Sequence, residues 1–137
     1  MLCPGGRIAG RKTIRRDLIA RRAVDIIQPD TCGAGGYTEM LKIIAFASAW
    51  NIRCIPQVWG TAVGLAANLQ LQAAMPHFPT SLAPEESLID FDRSPNPLRK
   101  ELVQEKFEMI GTSIVIPDRP GIGVTLNRNA MGKFLKE

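Results

Sequence analysis

The sequence predicts an α/β protein with parallel strands, and three observations support this class. Short apolar runs of strand length alternate with longer stretches of helical spacing through the middle of the chain. Turns that contain glycine follow the first two of these runs. With 137 residues, 45% of them hydrophobic, the chain is long enough to bury the core of one domain.

The first predicted unit is a helix, a strand and a glycine-rich turn. Thr13 is a suitable N-cap for a short helix that reaches Arg22. The segment VDIIQP (24–29) is predicted to be a buried strand that Pro29 stops. The turn DTCGAGG (30–36) follows this strand.

The next predicted elements repeat this pattern. A helix is expected from Thr38, as N-cap, to Trp50. RCIPQV (53–58) is the second strand, a helix from Ala62 to Met75 follows, and SLIDF (87–91) is the third strand. The tail changes character, since FEMIGTSIVIP suggests two strands joined around Gly111, and the link PDRPGIG leads to a terminal strand and the short helix NRNAMGKFL.

Composition excludes several classes of protein. Charged residues make up 22% of the chain and the mean hydropathy is +0.00, which fits neither a disordered chain nor a membrane span of about twenty apolar residues. The net charge of +4 comes from residues 1–22, which are net +6, whereas the remaining residues are net −2. Aromatic residues are not interleaved with these arginines, so a solvated basic helix face or an atypical leader is favoured over a nucleic-acid surface.

The amino terminus and the cysteines point to an intracellular protein. The first residues lack the apolar core of a secretory signal and the serines of a transit peptide, so a cytoplasmic location is the expectation. Cys3, Cys32 and Cys54 are odd in number and lack C-x-x-C spacing, which predicts reduced thiols rather than a disulfide framework or a zinc site. His77 has no companion ligand and is interpreted as a surface or packing residue.

Polar residues stand at the carboxyl ends of the three predicted strands: Asp30, Gln57 and Asp90. In parallel α/β folds this end of the strands lines the ligand crevice. Each residue also has a structural alternative. Asp30 can cap a helix or bind within its turn, Gln57 can be a satisfied rim amide, and Asp90 can pair with Arg93.

Two neighbouring features leave alternatives open. The glycines of GAGG (33–36) are attributed to tight turning, because the G-x-G-x-x-G register and a Walker-type lysine are both missing. Trp50 and Trp59 are interpreted as packing residues, although Trp59 follows Gln57 closely enough to line a pocket.

Several segments in this order resemble a known family. DIIQPDTCGAGGYTEMLKIIAFASAWNI, IPQVWGTAVGLAANLQLQAA, PEESLIDFDRSPNPLR and IPDRPGIGV are similar to the C-terminal part of the enolase superfamily, in particular its mandelate racemase and acid-sugar dehydratase group. The resemblance covers roughly residues 17–137 and implies a modified TIM barrel. It implies barrel strands six to eight (17–105) and a segment that returns to a capping domain (106–137). Residues 1–16, which it does not cover, are interpreted as an atypical basic leader.

The resemblance also implies roles for the strand-end residues. Family members abstract a proton α to a carboxylate and stabilise an enediolate on Mg²⁺. Asp30 matches the aspartate of a His-Asp dyad, and Gln57 stands in place of the dyad histidine and cannot accept a proton. Asp90 matches, with a shorter side chain, a glutamate that binds substrate near its carboxylate, and Trp59, from its position after Gln57, is also expected to bind substrate. The substrates implied are small carboxylates such as acid sugars, with no nucleic acid and no membrane as partners.

The family's Mg²⁺ ligands and lysine base lie on earlier strands, so this chain is expected to lack them. About three of eight strands cannot close a barrel. The expectation is a fragment of an Mg²⁺-dependent dehydratase or racemase that is inactive alone. The alternative is a non-catalytic remnant or interaction module. A third possibility, which the free strand edges motivate, is that several copies, as a homo-oligomer, or a separate chain that bears the earlier strands complete the barrel.

Overall fold

The chain folds into helices and short parallel strands, followed by a hairpin tail. The structure, a computed structural model, describes residues 2–4, 12–77 and 85–135. The strands are β1 (Leu2–Pro4), β2 (Ile26–Gln28), β3 (Arg53–Cys54), β4 (Gln57–Val58), β5 (Asp90–Phe91), β6 (Met109–Ile110) and β7 (Ser113–Ile114). The α-helices are α1 (Lys12–Ala20), α2 (Thr31–Ala34), α3 (Tyr37–Ala49), α4 (Ala62–Ala74), α5 (Pro97–Lys100) and α6 (Arg128–Met131), which a 3₁₀ turn (Gly132–Phe134) extends.

Two parallel sheets form the centre of the fold. The first has the order β1-β2-β3, and the second pairs β4 with β5. This arrangement confirms the expectation of parallel strands joined by helices. No strand was predicted for residues 2–4, yet β1 pairs with β2 in the register Leu2↔Ile26.

The prediction of one continuous strand over residues 53–58 is wrong. The segment splits into β3 and β4 at Pro56, which has no N–H to donate to a ladder. The backbone nevertheless stays beside β2, because the N–H of Ile55 donates to the carbonyl of Ile27 at 2.9 Å. The Pro56 carbonyl accepts from the N–H of Asp90 at 2.9 Å, so this segment joins the two sheets.

Helix boundaries differ from the predictions at three points. Helix α1 already includes Lys12, so Thr13 is not its N-cap, and the helix ends before Arg22, which has a φ of 48°. The predicted turn 30–36 contains the short helix α2. Helix α3 begins at Tyr37 rather than after Thr38, and its N-cap is Gly36, whose φ of 85° favours glycine.

The tail follows its predicted pattern in part. Strands β6 and β7 form the antiparallel hairpin around Gly111, and α6 forms with Asn127 as its N-cap. The predicted terminal strand is reduced to a single antiparallel bridge between Val103 and Leu126. No helix in the described ranges combines the length and apolar character that crossing a bilayer requires.

The described residues bury three apolar clusters. The first joins α1, β2 and α3 and contains Ile19, Val24, Ile27, Ala47 and Ile52. The second joins α2, α3 and α4 and contains Ala34, Met40, Ile44 and Leu71. In the third, the tail residues Phe107 and Ile114 pack against the cluster of Val58, Leu65 and Leu69. These clusters hold the strand ends in fixed positions beside the helices that follow them.

Candidate functional site

The structure brings the three predicted strand-end residues to one level of the strands. The backbone N–H of Gln57 donates to the carbonyl of Pro29 at 3.0 Å, immediately before Asp30. Gln57 is also the register partner of Asp90 in the β4–β5 pair. The three strands therefore present their polar residues at the same edge, as the sequence predicted.

Asp30 is the N-cap of α2. Its Oδ1 accepts a hydrogen bond from the backbone N–H of Cys32 at 2.8 Å, which satisfies one of the free donors at the helix start. The capping alternative considered for this residue is therefore the one that the structure shows. Burial, followed by the nearby Asp30 carboxylate, raises the pKa of the Cys32 thiol.

A buried polar contact fixes α2 to α4. Thr31 Oγ1 donates to Asn68 Oδ1 at 2.5 Å, and Asn68 Nδ2 donates to the carbonyl of Gly64 at 2.9 Å. Thr31 is 3% exposed and Asn68 is completely buried. Because both partners are satisfied inside the protein, this contact holds the helix that follows β2 in one position.

Gln57 has an unsatisfied acceptor. Its Oε1 is buried and has no hydrogen-bond partner among the residues that the structure describes. The interpretation of Gln57 as a satisfied rim amide is thus wrong for this atom. A buried acceptor without a donor is unfavourable by about 1–3 kcal/mol, so this position favours any group that brings a donor to it.

Asp90 is exposed and receives its hydrogen bond from an unexpected residue. Gln28 Nε2 donates to Asp90 Oδ2 at 3.1 Å, although the two residues belong to different sheets. The expected alternative, an ion pair with Arg93, does not form within the described part of the chain. Gln28 was missed by the sequence reasoning, although a glutamine at the end of an otherwise apolar strand was the available signal.

The loop after β5 is held by an ion pair and hydrogen bonds to one carboxylate, that of Asp92. Asp92 Oδ2 lies 2.9 Å from Arg99 Nη2 and accepts from the Ser94 hydroxyl at 2.6 Å. The hydrogen bonds from Arg99 and then from Ser94 lower the pKa of Asp92 from 3.8 to about 2. Asn96 Nδ2 donates to the carbonyl of Gly60 at 3.5 Å, so this loop contacts the loop that follows β4.

The remaining sequence candidates differ in position, since Trp59 directly follows β4 at the strand edge, whereas Trp50 and His77 belong to other parts of the chain. Trp59 is 73% exposed, so its interpretation as a packing residue is wrong, whereas Trp50 contacts Phe46 at a ring separation of 6.4 Å. His77 is exposed and lines a cavity of about 260 Å³ near the start of β3, where Arg53 pairs with Glu85. None of the three strand-end residues lines this cavity.

The fold and the polar strand ends define a parallel α/β protein whose candidate site lies at the carboxyl edge of its strands. The chain belongs to the enolase C-terminal domain-like family, whose model matches residues 2–130. This match confirms the resemblance to the mandelate racemase and acid-sugar dehydratase group. It also includes most of the segment 1–16, to which the resemblance did not extend.

Two curated relatives act on sugar acids or their lactones, as their names state. The chain is 45% identical over 112 residues to D-galactarolactone cycloisomerase of Agrobacterium fabrum, which aligns 82% of this chain with 30% of the relative. It is 32% identical over 118 residues to arabinonate dehydratase of Saccharolobus solfataricus, an alignment that covers 86% of this chain and 29% of that relative. The chain thus spans about a third of the length of these relatives.

Solved structures agree with the fold. The 3,6-anhydro-D-galactonate cycloisomerase of Zobellia galactanivorans superposes with a TM-score of 0.77 at 30% identity, over 90% of this chain and 32% of that chain. L-Talarate dehydratase of Polaromonas sp. JS666, complexed with Mg and L-glucarate, superposes with a TM-score of 0.67 at 26% identity. The superposition covers 88% of this chain and 29% of that chain.

Proposed function

We propose that this chain forms part of the substrate-binding face of an acid-sugar dehydratase, cycloisomerase or racemase. The observation that carries the proposal is the exposed carboxylate of Asp90, which Gln28 holds at the strand edge where Gln57 also lies. A carboxylate accepts hydrogen bonds from hydroxyl groups, and sugar acids carry several. The names of the relatives support this substrate class.

We also infer that residues 17–105 form three units of a barrel wall. In a (β/α)₈ barrel, side chains of alternate strands meet in one layer of the interior. The bond between Gln28 and Asp90 joins β2 with β5, across the segment 53–58 that lies between them. This contact supports a sheet that is curved with both side chains on its concave face.

Proton abstraction is not assigned to Gln57 or to Asp30. The amide of Gln57 cannot accept a proton at neutral pH, and Asp30 is engaged in capping α2. We therefore propose that the chain binds and orients substrate and does not turn it over alone.

A magnesium site does not fit the described residues. They contain no group of three histidine, cysteine or acidic side chains placed to hold a metal ion. The positions outside the described ranges add a single acidic residue, Glu137. The Mg in the talarate dehydratase complex belongs to that protein, and we assign no step to a metal on this chain.

The experiment uses the purified chain with D-galactonate or D-gluconate in D₂O, with and without Mg²⁺. We expect saturation-transfer NMR to detect binding, and ¹H NMR to show neither exchange of the α-proton nor loss of water. Asp90→Ala is expected to abolish binding, whereas Asp118→Ala, an exposed carboxylate remote in sequence from the strand ends, is expected to retain it. Exchange or turnover by the chain alone contradicts its assignment as inactive.

Absence of binding by the folded parent chain contradicts the substrate-binding role. That result favours the second candidate, a non-catalytic remnant or interaction module. Circular dichroism establishes that each variant is folded, so loss of binding is not confused with loss of structure.

A further inference from the structure

The contact between Gln28 and Asp90 has features of an orienting device. Gln28 is 6% exposed, whereas Asp90 is exposed to solvent. The bond runs from the buried amide to one oxygen of the carboxylate, Nε2 to Oδ2 at 3.1 Å. A buried side chain has few accessible rotamers, so it fixes the exposed side chain that it binds.

The distance between β2 and β5 determines the direction in which the Asp90 side chain extends. Neighbouring strands lie about 4.8 Å apart, so β2 and β5, with one strand segment between them, are separated by about twice that spacing. Side chains reach each other over this distance only by leaning across the intervening segment, which here carries Gln57. The carboxylate of Asp90 is therefore drawn toward the middle of the strand edge.

The chemistry of the donor also matters. An arginine or lysine at position 28 would neutralise the carboxylate, whereas the glutamine amide donates a hydrogen bond and leaves the negative charge in place. Oδ2 of Asp90 accepts this hydrogen bond, and Oδ1 has no hydrogen-bond partner among the residues that the structure describes. The arrangement presents a charged acceptor in a single orientation.

We propose that Gln28 is a positioning residue that sets the rotamer of Asp90, so that Oδ1 accepts from a substrate hydroxyl. The second half of this proposal rests on the proposed function, and the first half does not. Gln28→Glu is the sharpest variant, because it keeps the size of the side chain and replaces the donor by a second acceptor. Gln28→Leu removes the donor without adding charge.

The matched control is Gln70→Leu. Gln70 is also partly buried and also donates through Nε2 to a distant residue, the carbonyl of Pro117 at 2.8 Å. Removing its side-chain amide tests how the loss of one such hydrogen bond affects the protein while the contact with Asp90 stays intact.

The first measurement needs no ligand. Three-bond NMR couplings report χ1 of Asp90, and we expect one rotamer in the parent and in Gln70→Leu, and an average of rotamers in both Gln28 variants. The side-chain NH₂ resonances of Gln28 are expected to move in Asp90→Ala. Unchanged couplings and unchanged resonances would overturn the proposal.

The second measurement is the affinity for D-galactonate or D-gluconate. We expect about tenfold weaker binding in Gln28→Leu, a larger loss in Gln28→Glu, and parent affinity in Gln70→Leu. If the χ1 couplings of Asp90 in the Gln28 variants show averaging while the affinity for the sugar acids stays at the parent value, Gln28 orients Asp90 without contributing to substrate binding. In that case the second half of the proposal is overturned. If the parent binds neither sugar acid, the proposed function fails, while the couplings still decide whether Gln28 orients Asp90.

Discussion

At the scale of single residues, Asp30 shows how a side chain at a strand end can serve the local fold. Its carboxylate caps a helix of only four residues, whose C-cap Gly35 has a φ of 107°. A short helix depends strongly on its caps, because few internal hydrogen bonds hold it. The same side chain therefore stabilises the turn that follows β2.

Replacing this cap gives a direct test. Asp30→Ala is expected to lower the free energy of unfolding by about 1 kcal/mol, and Asp30→Ser to recover most of the loss, since serine also caps helices well. Urea unfolding followed by circular dichroism measures both. Equal stability of the alanine and serine variants would show that Asp30 does not act through capping.

The buried pair Thr31 and Asn68 allows a second test. Asn68→Leu leaves the Thr31 hydroxyl without its acceptor in a buried site, and we expect a loss of about 2 kcal/mol. The double variant Thr31→Val with Asn68→Leu is expected to be less destabilised than the sum of its single variants, because no unpaired hydroxyl remains. Additive losses in this double-mutant cycle would contradict the coupling.

The sequence identified part of the site at this scale. Asp30, Gln57 and Asp90 were predicted from their position at strand ends, which local pattern reveals. The partner of Asp90 was not, because Gln28 lies 62 positions away and the pairing depends on how the strands align in three dimensions. Arg93, three positions after Asp90, was the partner that proximity in the sequence suggested.

At the scale of elements, prolines and glycines indicate where strands and helices begin and end, but they do not show how these elements pair. Pro56 lies inside a run of strand-forming residues, and the structure breaks the strand there. The segment stays bonded to the chain that follows β2 and gains β5 as a second neighbour, and no local pattern shows this tertiary arrangement. Thr38 is a good capping residue, yet α3 begins at Tyr37 with Gly36 as its N-cap, and the φ of 85° at this position favours glycine.

The loop after β5 has a predictable response to acid. The folded pKa of Asp92 is lowered to about 2, so the unfolded chain binds its proton more readily than the folded chain does. The stabilisation is fully present above an ordinary pKa of 3.8 and is lost as the pH falls toward 2. Asp92→Asn is expected to be less stable than the parent at pH 6 and to lose less stability between pH 4 and 2.

Denaturant midpoints across this pH range measure the effect. Asp118→Asn is the control, since that exposed carboxylate forms no ion pair with any residue that the structure describes. An identical acid response of the parent and Asp92→Asn would contradict the role assigned to the pair with Arg99.

At the scale of the whole molecule, the α/β class and the family were predicted from the sequence, whereas the packing of the hairpin tail against the helices and strands was not. The hairpin tail was predicted as a separate element, and the structure packs Phe107 and Ile114 against the cluster around Leu65. Apolar residues in a tail indicate that it is buried against something, but they do not specify the surface.

The composition of the site also predicts a response to metal. Because the described residues hold no group of metal-binding side chains, we expect 5–10 mM Mg²⁺, roughly, to leave the melting temperature unchanged, and EDTA to have no effect. A ligand stabilises a fold only if it binds the folded state preferentially. Differential scanning calorimetry tests this, and stabilisation that saturates with Mg²⁺ would contradict it.

The bond between Gln28 and Asp90 has a consequence for how the chain folds. The side-chain bond requires both the β2–β3 pair and the β4–β5 pair to be in place. Closing a larger loop is entropically less favourable, so contacts between distant residues tend to form late. We therefore expect the candidate site to be assembled late in folding, and opening either strand pair would separate its parts.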